Sequence, residues 1–244
     1  MDTDYFRHAR PEMLCFIPEH RGRVLEVGCG TGEFIASIPG CTEKWGVEPT
    51  DAALSAKGKL TQVLHGTFDA VKDQLPVKYF DVIICNDVIE HMVDHRSFLI
   101  EAQKYLAPNG MLIGSLPNVC FYDTLFRALF ENDWKYLDTG ILDRTHLRFF
   151  TTKSFRRVLE ETGYHVIKIQ GRWYDYSFAN DRSGRIYRLL AKALGKLSLG
   201  RLSHLRHFQF AFQAVPSVDV VQENATKQPQ GGNIGRSYLS PDGL

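Results

Sequence analysis

The stretch Val24-Leu25-Glu26-Val27-Gly28-Cys29-Gly30-Thr31-Gly32-Glu33-Phe34 constrains this chain more than any other. Its apolar start suits a buried strand, and its alternating glycines suit a tight turn into a helix. Glycine tolerates the unusual backbone angles of such a turn and lets a ligand reach bare backbone. Twenty residues after Gly28, Glu48 ends a second apolar run, Lys44-Trp45-Gly46-Val47. An acid there can accept both hydroxyls of a ribose. Strand, glycine turn and acid at this spacing together predict an α/β unit that binds a nucleoside.

The glycine spacing narrows the ligand. A dinucleotide site carries G-x-G-x-x-G, with a pyrophosphate on the helix N-terminus. Here the glycines are Gly28, Gly30 and Gly32, and Glu33 enters the helix. A carboxylate at that point is a poor neighbour for pyrophosphate. Glu26 would repel phosphate too, but it can orient an amine. The pattern suits a nucleoside carrying a cationic amino-acid tail.

Further strands are expected at Gln62-Val63-Leu64, at Phe80 to Cys85 and at Met111 to Ser115 after a turn at Pro108-Asn109-Gly110. Helical stripes run from Ser97 to Leu106 and from Thr152 to Thr162, the second stopped by Gly163. Alternating strands and helices imply a mostly parallel sheet covered on both faces. Tyr164 to Ile169 and Phe208 to Ala214 are two more strand candidates. Between them a helix over Arg185–Leu197 should bury Ile186, Leu189, Leu190, Ala193, Leu194 and Leu197. The aromatic segment 117–150 breaks the rhythm and reads as a cap insertion. We expect one domain over residues 1–216 and a disordered, polar tail over 217–244.

Glu26-Val27-Gly28-Cys29-Gly30-Thr31-Gly32 resembles motif I of the class I S-adenosylmethionine (SAM)-dependent methyltransferases. Phe80 to His91 resembles their fourth-strand motif, and Leu106 to Met111 their fifth-strand entry. The resemblance spans roughly residues 23–171. It implies a Rossmann-like, seven-stranded, mostly parallel sheet with an antiparallel last strand. It implies SAM as cofactor and S-adenosylhomocysteine as product. Glu26, Gly28, Cys29, Gly30 and Gly32 would form the cofactor loop, Glu48 would bind the ribose, and Asn86 and Asp87 would face the methionine end. Many relatives carry an acid after the third strand that meets the adenine amine. Here Thr67 stands in its place, so the adenine contact would fall to the Phe68 backbone or Asp69.

A hydroxyl acceptor must lose a proton as it is methylated. Two clusters can take it. One is Asp87-Val88-Ile89-Glu90-His91; the other is Asp143-Arg144-Thr145-His146, which leads into Phe149-Phe150-Thr151. The second resembles a methyltransferase subgroup of bacterial cell-surface polysaccharide and glycan pathways. That implies a sugar hydroxyl as acceptor, free or linked to a lipid or nucleotide, with His146 as general base, Asp143 orienting it or the substrate, and His91 as a further catalytic candidate. The bland reading makes Asp143 and His146 caps of the following helix. Asp87, Glu90 and His91 also share the spacing of metal-dependent O-methyltransferases that act on quinone precursors or an RNA end, with His146 as a fourth ligand. Mg²⁺ is not favoured, because two histidines are unusual for a hard cation. A non-catalytic SAM-binding module is the third reading.

Composition trims the partners. With 29 Lys+Arg against 28 Asp+Glu, the net charge is +1, unlike a DNA-binding protein. The acidic, polar start and the lack of a long apolar run predict no signal peptide or membrane span. Five scattered cysteines suit reduced thiols and a cytoplasmic location. Segment 172–206 carries eight Lys/Arg and two acids. It reads first as a solvated excursion and second as a peripheral contact with phosphate-bearing acceptors or a membrane surface.

Overall fold

In a computed structural model, residues 10–172 and 182–217 are described. Most of the expected tail therefore lies outside the described residues. Seven strands form one sheet: β1 Arg23–Val27, β2 Glu43–Glu48, β3 Gln62–His65, β4 Phe80–Asn86, β5 Leu106–Pro117, β6 Tyr164–Arg172 and β7 Gln209–Pro216. Their order is β3-β2-β1-β4-β5-β7-β6. The first five pair in parallel, and β7 inserts antiparallel between β5 and β6. This is the Rossmann-like arrangement expected above.

Strand alternation sends side chains to two apolar layers. Leu25, Val27, Ile83 and Cys85 face α3 (Phe68–Val71), α4 (His95–Ala102) and α6 (Thr152–Glu161). Val24, Val82 and Ile84 face α1 (Glu33–Ser37), α2 (Ala52–Ala56) and the short 3₁₀ helix Pro11–Phe16. Both faces are covered, which is why β4 reads as an unbroken apolar run. The chain leaves β1 toward β2 and β3, then returns to lay β4 on the other side of β1. Ligands in such sheets bind where the winding reverses, at the carboxyl ends of the strands. Here that point joins the glycine turn after β1 to Asn86, the last residue of β4, and to Asp87.

Three expectations shift. The turn Pro108-Asn109-Gly110 lies inside β5: Phe80 pairs with Leu106 and Val82 with Met111, so the extra residues bulge out of the ladder. Helix α4 starts earlier, where the Asp94 carboxylate accepts the Ser97 N–H at 3.0 Å, and it ends at Ala102. The third concerns α7 (Arg182–Leu197), whose apolar stripe is not its buried one. Gly184, Tyr187 and Ala191 are buried, while Ile186, Leu189, Leu190 and Leu197 are exposed. The small residues allow close approach, and Tyr187 fills a third cluster with Phe121, Tyr122, Phe126, Ile141 and Leu142 of segment 117–150. The helix therefore packs on that segment rather than on the sheet. Segment 117–150 itself contains α5 (Tyr122–Phe126) and a π-helical turn, Arg127–Glu131.

Candidate active site

Gly28, Gly30 and Gly32 have φ of +74°, +53° and +78°, a region that side chains with a Cβ enter at a cost. A Cβ on Gly28 would also sit 2.4 Å from Val88 Cγ2. The loop's amides are already paired. Gly28 and Cys29 donate to the Val47 carbonyl, Gly32 to the Cys29 carbonyl and Gly30 to Glu48 Oε2 at 2.8 Å. No fan of free N–H groups is left among these four to cradle a pyrophosphate. What the turn offers is a smooth glycine surface beside two buried acids.

Glu48 does more than await a ribose. Its Oε1 accepts both the Thr50 N–H at 3.0 Å and the Thr50 hydroxyl at 2.6 Å, while Oε2 holds Gly30. A carboxylate has about four lone-pair sites, so three donors leave little more than one. Glu48 thus fixes the loop against β2. Gly46 serves the same contact, since a Cβ there would meet Cys29 Sγ at 2.5 Å. Neither Thr50 nor Gly46 stood out in the sequence, although a glycine inside a strand is itself a sign of close packing.

Glu26 is buried on the α1 side of β1. Asn86 Nδ2 donates to its Oε1 at 3.4 Å. Glu26 Oε2 and Asn86 Oδ1 are buried without a partner. Burial pushes the Glu26 pKa up from 4.5 to about 8, against the hydrogen bond from Asn86 and the charge of Arg10. Two unfilled acceptors at the end of β1 and β4 fit a cationic amino group. Thr67 sits at the N-terminus of α3, and the Phe68 ring turns into the core, edge-on to Phe98 at 4.8 Å. Only the Phe68 backbone remains to face a ligand. The exposed Asp69 lies 3.4 Å from Lys72 Nζ.

Asp87, which also has a positive φ of 53°, is held from three sides. Arg10 Nη1 lies 2.8 Å from Oδ2, Gln209 Nε2 donates to the same oxygen at 2.8 Å, and Ser115 Oγ donates to Oδ1 at 3.1 Å. It is a tie between the N-terminal segment, β5 and β7. Its carboxylate is thereby occupied, and it does not join the cluster formed by Glu90, His91 and His146.

Those others converge. Candidate ligand atoms of Glu90, His91 and His146 all lie within 4.8 Å of one another. The two imidazoles stand edge to face with centroids 4.7 Å apart. His146 Nδ1 is 2.9 Å from the Ile141 carbonyl, and His91 Nδ1 is 3.2 Å from the Thr145 carbonyl. A carbonyl only accepts, so in the neutral rings Nδ1 carries the hydrogen and each Nε2 keeps its lone pair. Burial and the neighbouring His146 lower the His91 pKa, which favours its neutral form. Both Glu90 oxygens are buried and unpartnered, and burial beside Asp87 pushes its pKa well above the carboxylate range.

The segment bearing His146 is fastened to this turn. The N–H groups of Leu147 and Arg148 both donate to the Glu90 carbonyl. Asp143 Oδ1 accepts the N–H of Thr145 at 2.8 Å and its hydroxyl at 2.6 Å, so Asp143 shapes the backbone before His146 while Ile141 orients the ring. Neither Asp143 nor His146 caps α6. Thr151 does that, in a reciprocal capping box with Ser154.

A family model described as a methyltransferase domain matches residues 2–169. The chain belongs to this family. Among curated relatives, the "Ubiquinone biosynthesis O-methyltransferase" of Rickettsia typhi is 24% identical over 196 residues, covering 72% of this chain and 75% of that one. The mitochondrial protein of the same name from Schizosaccharomyces pombe is 26% identical over 183 residues, covering 71% and 63%. Among solved structures, a SAM-dependent methyltransferase from Archaeoglobus fulgidus superposes with a TM-score of 0.59 at 20% identity, covering 87% of this chain and 94% of that one.

The cofactor of this methyltransferase is SAM. The orphaned acceptors of Glu26 and Asn86 fit its ammonium group, and the paired glycine loop leaves no phosphate cradle. Arg10, Ser115 and Gln209 are residues the sequence reading missed. They lie far from Asp87 along the chain; the sheet order brings Ser115 and Gln209 to it, and Arg10 reaches it from the segment before β1.

Proposed function

We propose that this methyltransferase carries the SAM methyl group to a hydroxyl, and that the acceptor is an aromatic hydroxyl compound of the quinone-precursor kind. The observation that carries the reading is the trio of buried Glu90 and His146 with half-buried His91, with a lone pair on each Nε2 and no partner on the carboxylate. The methyl passes in line from the sulfonium to the acceptor oxygen. Sulfur leaves with the bonding pair as the thioether of S-adenosylhomocysteine, and the hydroxyl proton goes to His146 Nε2. Alignment supplies much of the rate, and a positioned base adds roughly 10²–10⁴. Ile141 sets the His146 ring, and Asp143 holds the backbone that presents it.

The trio also has the donor set of a cation site. A backbone carbonyl on the far nitrogen of each imidazole is the usual support for a metal-binding histidine. A divalent cation held by Glu90, His91 and His146 would lower the pKa of a bound hydroxyl, and His146 Nε2 would then be its ligand instead of the base. Two imidazoles and one carboxylate suit zinc or iron better than Mg²⁺.

The names of the relatives support the quinone-precursor acceptor. A glycan hydroxyl is the second reading, favoured by the rings beside the site: Phe149 lies 6.5 Å from His146, with Trp134 and Tyr136 against it. Such rings cover the apolar face of a sugar as well as an aromatic acceptor.

The test is transfer of a labelled methyl from SAM into host-cell extract, then partition between organic and aqueous phases. A chloroform-soluble aromatic product is expected. Label on a water-soluble sugar would replace the acceptor by the glycan. SAM binding with no labelled product in either phase would make the chain a non-catalytic SAM-binding module. In the same assay His146→Ala should keep SAM affinity and lose roughly 10²–10⁴ in turnover. Unchanged turnover would remove His146 as the base.

A further inference from the structure

Helix α7 presents two stripes to solvent. Ile186, Leu189, Leu190, Ala193 and Leu197 recur at intervals of three or four residues, so they lie along one side of the helix. Leu189 is 66% exposed and Leu197 82%. Arg185, Arg188, Lys192 and Lys196 recur with the same period on the neighbouring side. The third side, with Gly184, Tyr187 and Ala191, is the one that packs on the cap. Isolated exposed apolar residues are ordinary, but a continuous stripe of them signals a contact surface.

Charge identifies the contact. Residues 182–206 hold seven Lys or Arg and no acid, in a chain whose net charge is +1. The helix therefore stands against the balance of the whole molecule. A hollow of ≈ 720 Å³ at its end is lined by Lys192, Lys196 and Arg206. Apolar side chains beside a cationic row match a surface that is apolar inside and anionic at its face. At sixteen residues the helix is about 24 Å long and too charged to span a bilayer, so it would lie along one. Among the described residues no helix is long and apolar enough to cross a membrane.

We propose that α7 docks this methyltransferase onto an anionic lipid bilayer, its leucine stripe entering the headgroup boundary and its basic stripe meeting lipid phosphates. Beneath the helix, Phe130 of the cap, itself 62% exposed, stacks on Tyr187 with ring centres 6.0 Å apart. The docked face thus belongs to the body that carries His146. The proposal stands on this surface and does not depend on which hydroxyl is methylated.

The experiment is co-sedimentation of the full chain with phosphatidylcholine vesicles, with and without phosphatidylglycerol, at low and high salt. Binding should require phosphatidylglycerol and weaken with salt. Arg185→Gln, Lys192→Gln and Lys196→Gln together should lower it by roughly a hundredfold, about fivefold per charge. Leu189→Glu with Leu197→Glu should abolish it, while SAM affinity reports an intact fold. Equal binding to neutral vesicles, or indifference to both variants, would overturn the proposal. So would a dimer in solution that the leucine variant splits, because the stripe would then belong to a second copy of the chain.

Discussion

Replacing Glu26 by Gln should stabilise the ligand-free protein while weakening its grip on SAM. Glu26 is buried, with one 3.4 Å hydrogen bond on Oε1 and none on Oε2. Its pKa is raised from 4.5 to about 8 in the folded chain. Below the lower value both folded and unfolded chains hold the proton, and the group has no effect on stability. As pH rises, the unfolded chain releases the proton first, so stability falls until the folded value is passed. At about 1.4 kcal/mol per pH unit, the penalty reaches about 3 kcal/mol at neutral pH. Glutamine keeps the shape and does not titrate. Urea unfolding of both proteins without SAM, from pH 5 to pH 8, should give curves that diverge by about that amount as pH rises. Calorimetry should show weaker SAM binding by the variant, because the ammonium loses its anionic partner. Curves that stay parallel across this range would refute the reasoning.

Gly28→Ala should reduce SAM affinity and stability through both its positive φ and its contact with Val88; adding Val88→Ala should recover the second part only, and a double-mutant cycle by urea unfolding measures the split. Gly30→Val, at φ +53°, should abolish SAM binding measured by calorimetry, because the branched side chain is excluded from that backbone and would fill the nucleoside path. Thr151→Ala should lower stability by about 1 kcal/mol through the lost cap, read from the urea midpoint.

The sheet was legible where one signal decided each element. The apolar run of β4 and the glycines after β1 each have few alternative structures. Periodicity also found α7, but a stripe tells only that apolar residues share a side, not that this side is buried. Gly184 and Ala191 made the packing contact, and small residues carry little weight in such a pattern. Within the site, Glu90 and His91 were visible as neighbours in one motif. The metal-site spacing already suggested His146 as their companion, but the backbone hydrogen bonds that hold it there, Leu147 and Arg148 to Glu90, are encoded by no side-chain pattern. The partners of Asp87 were invisible for a related reason: Gln209 reaches it through the order of strands, and Arg10 through the docking of the segment before β1.

Those two N–H groups on the Glu90 carbonyl also govern how an acceptor could enter. Swinging the whole cap away would tear both bonds, and the Thr145 carbonyl would leave His91 as well. The trailing half of the cap therefore behaves as part of the floor, keeping the two imidazoles in register through every turnover. A cross-link from this trailing half to the turn bearing Glu90 and His91 should therefore leave turnover unchanged.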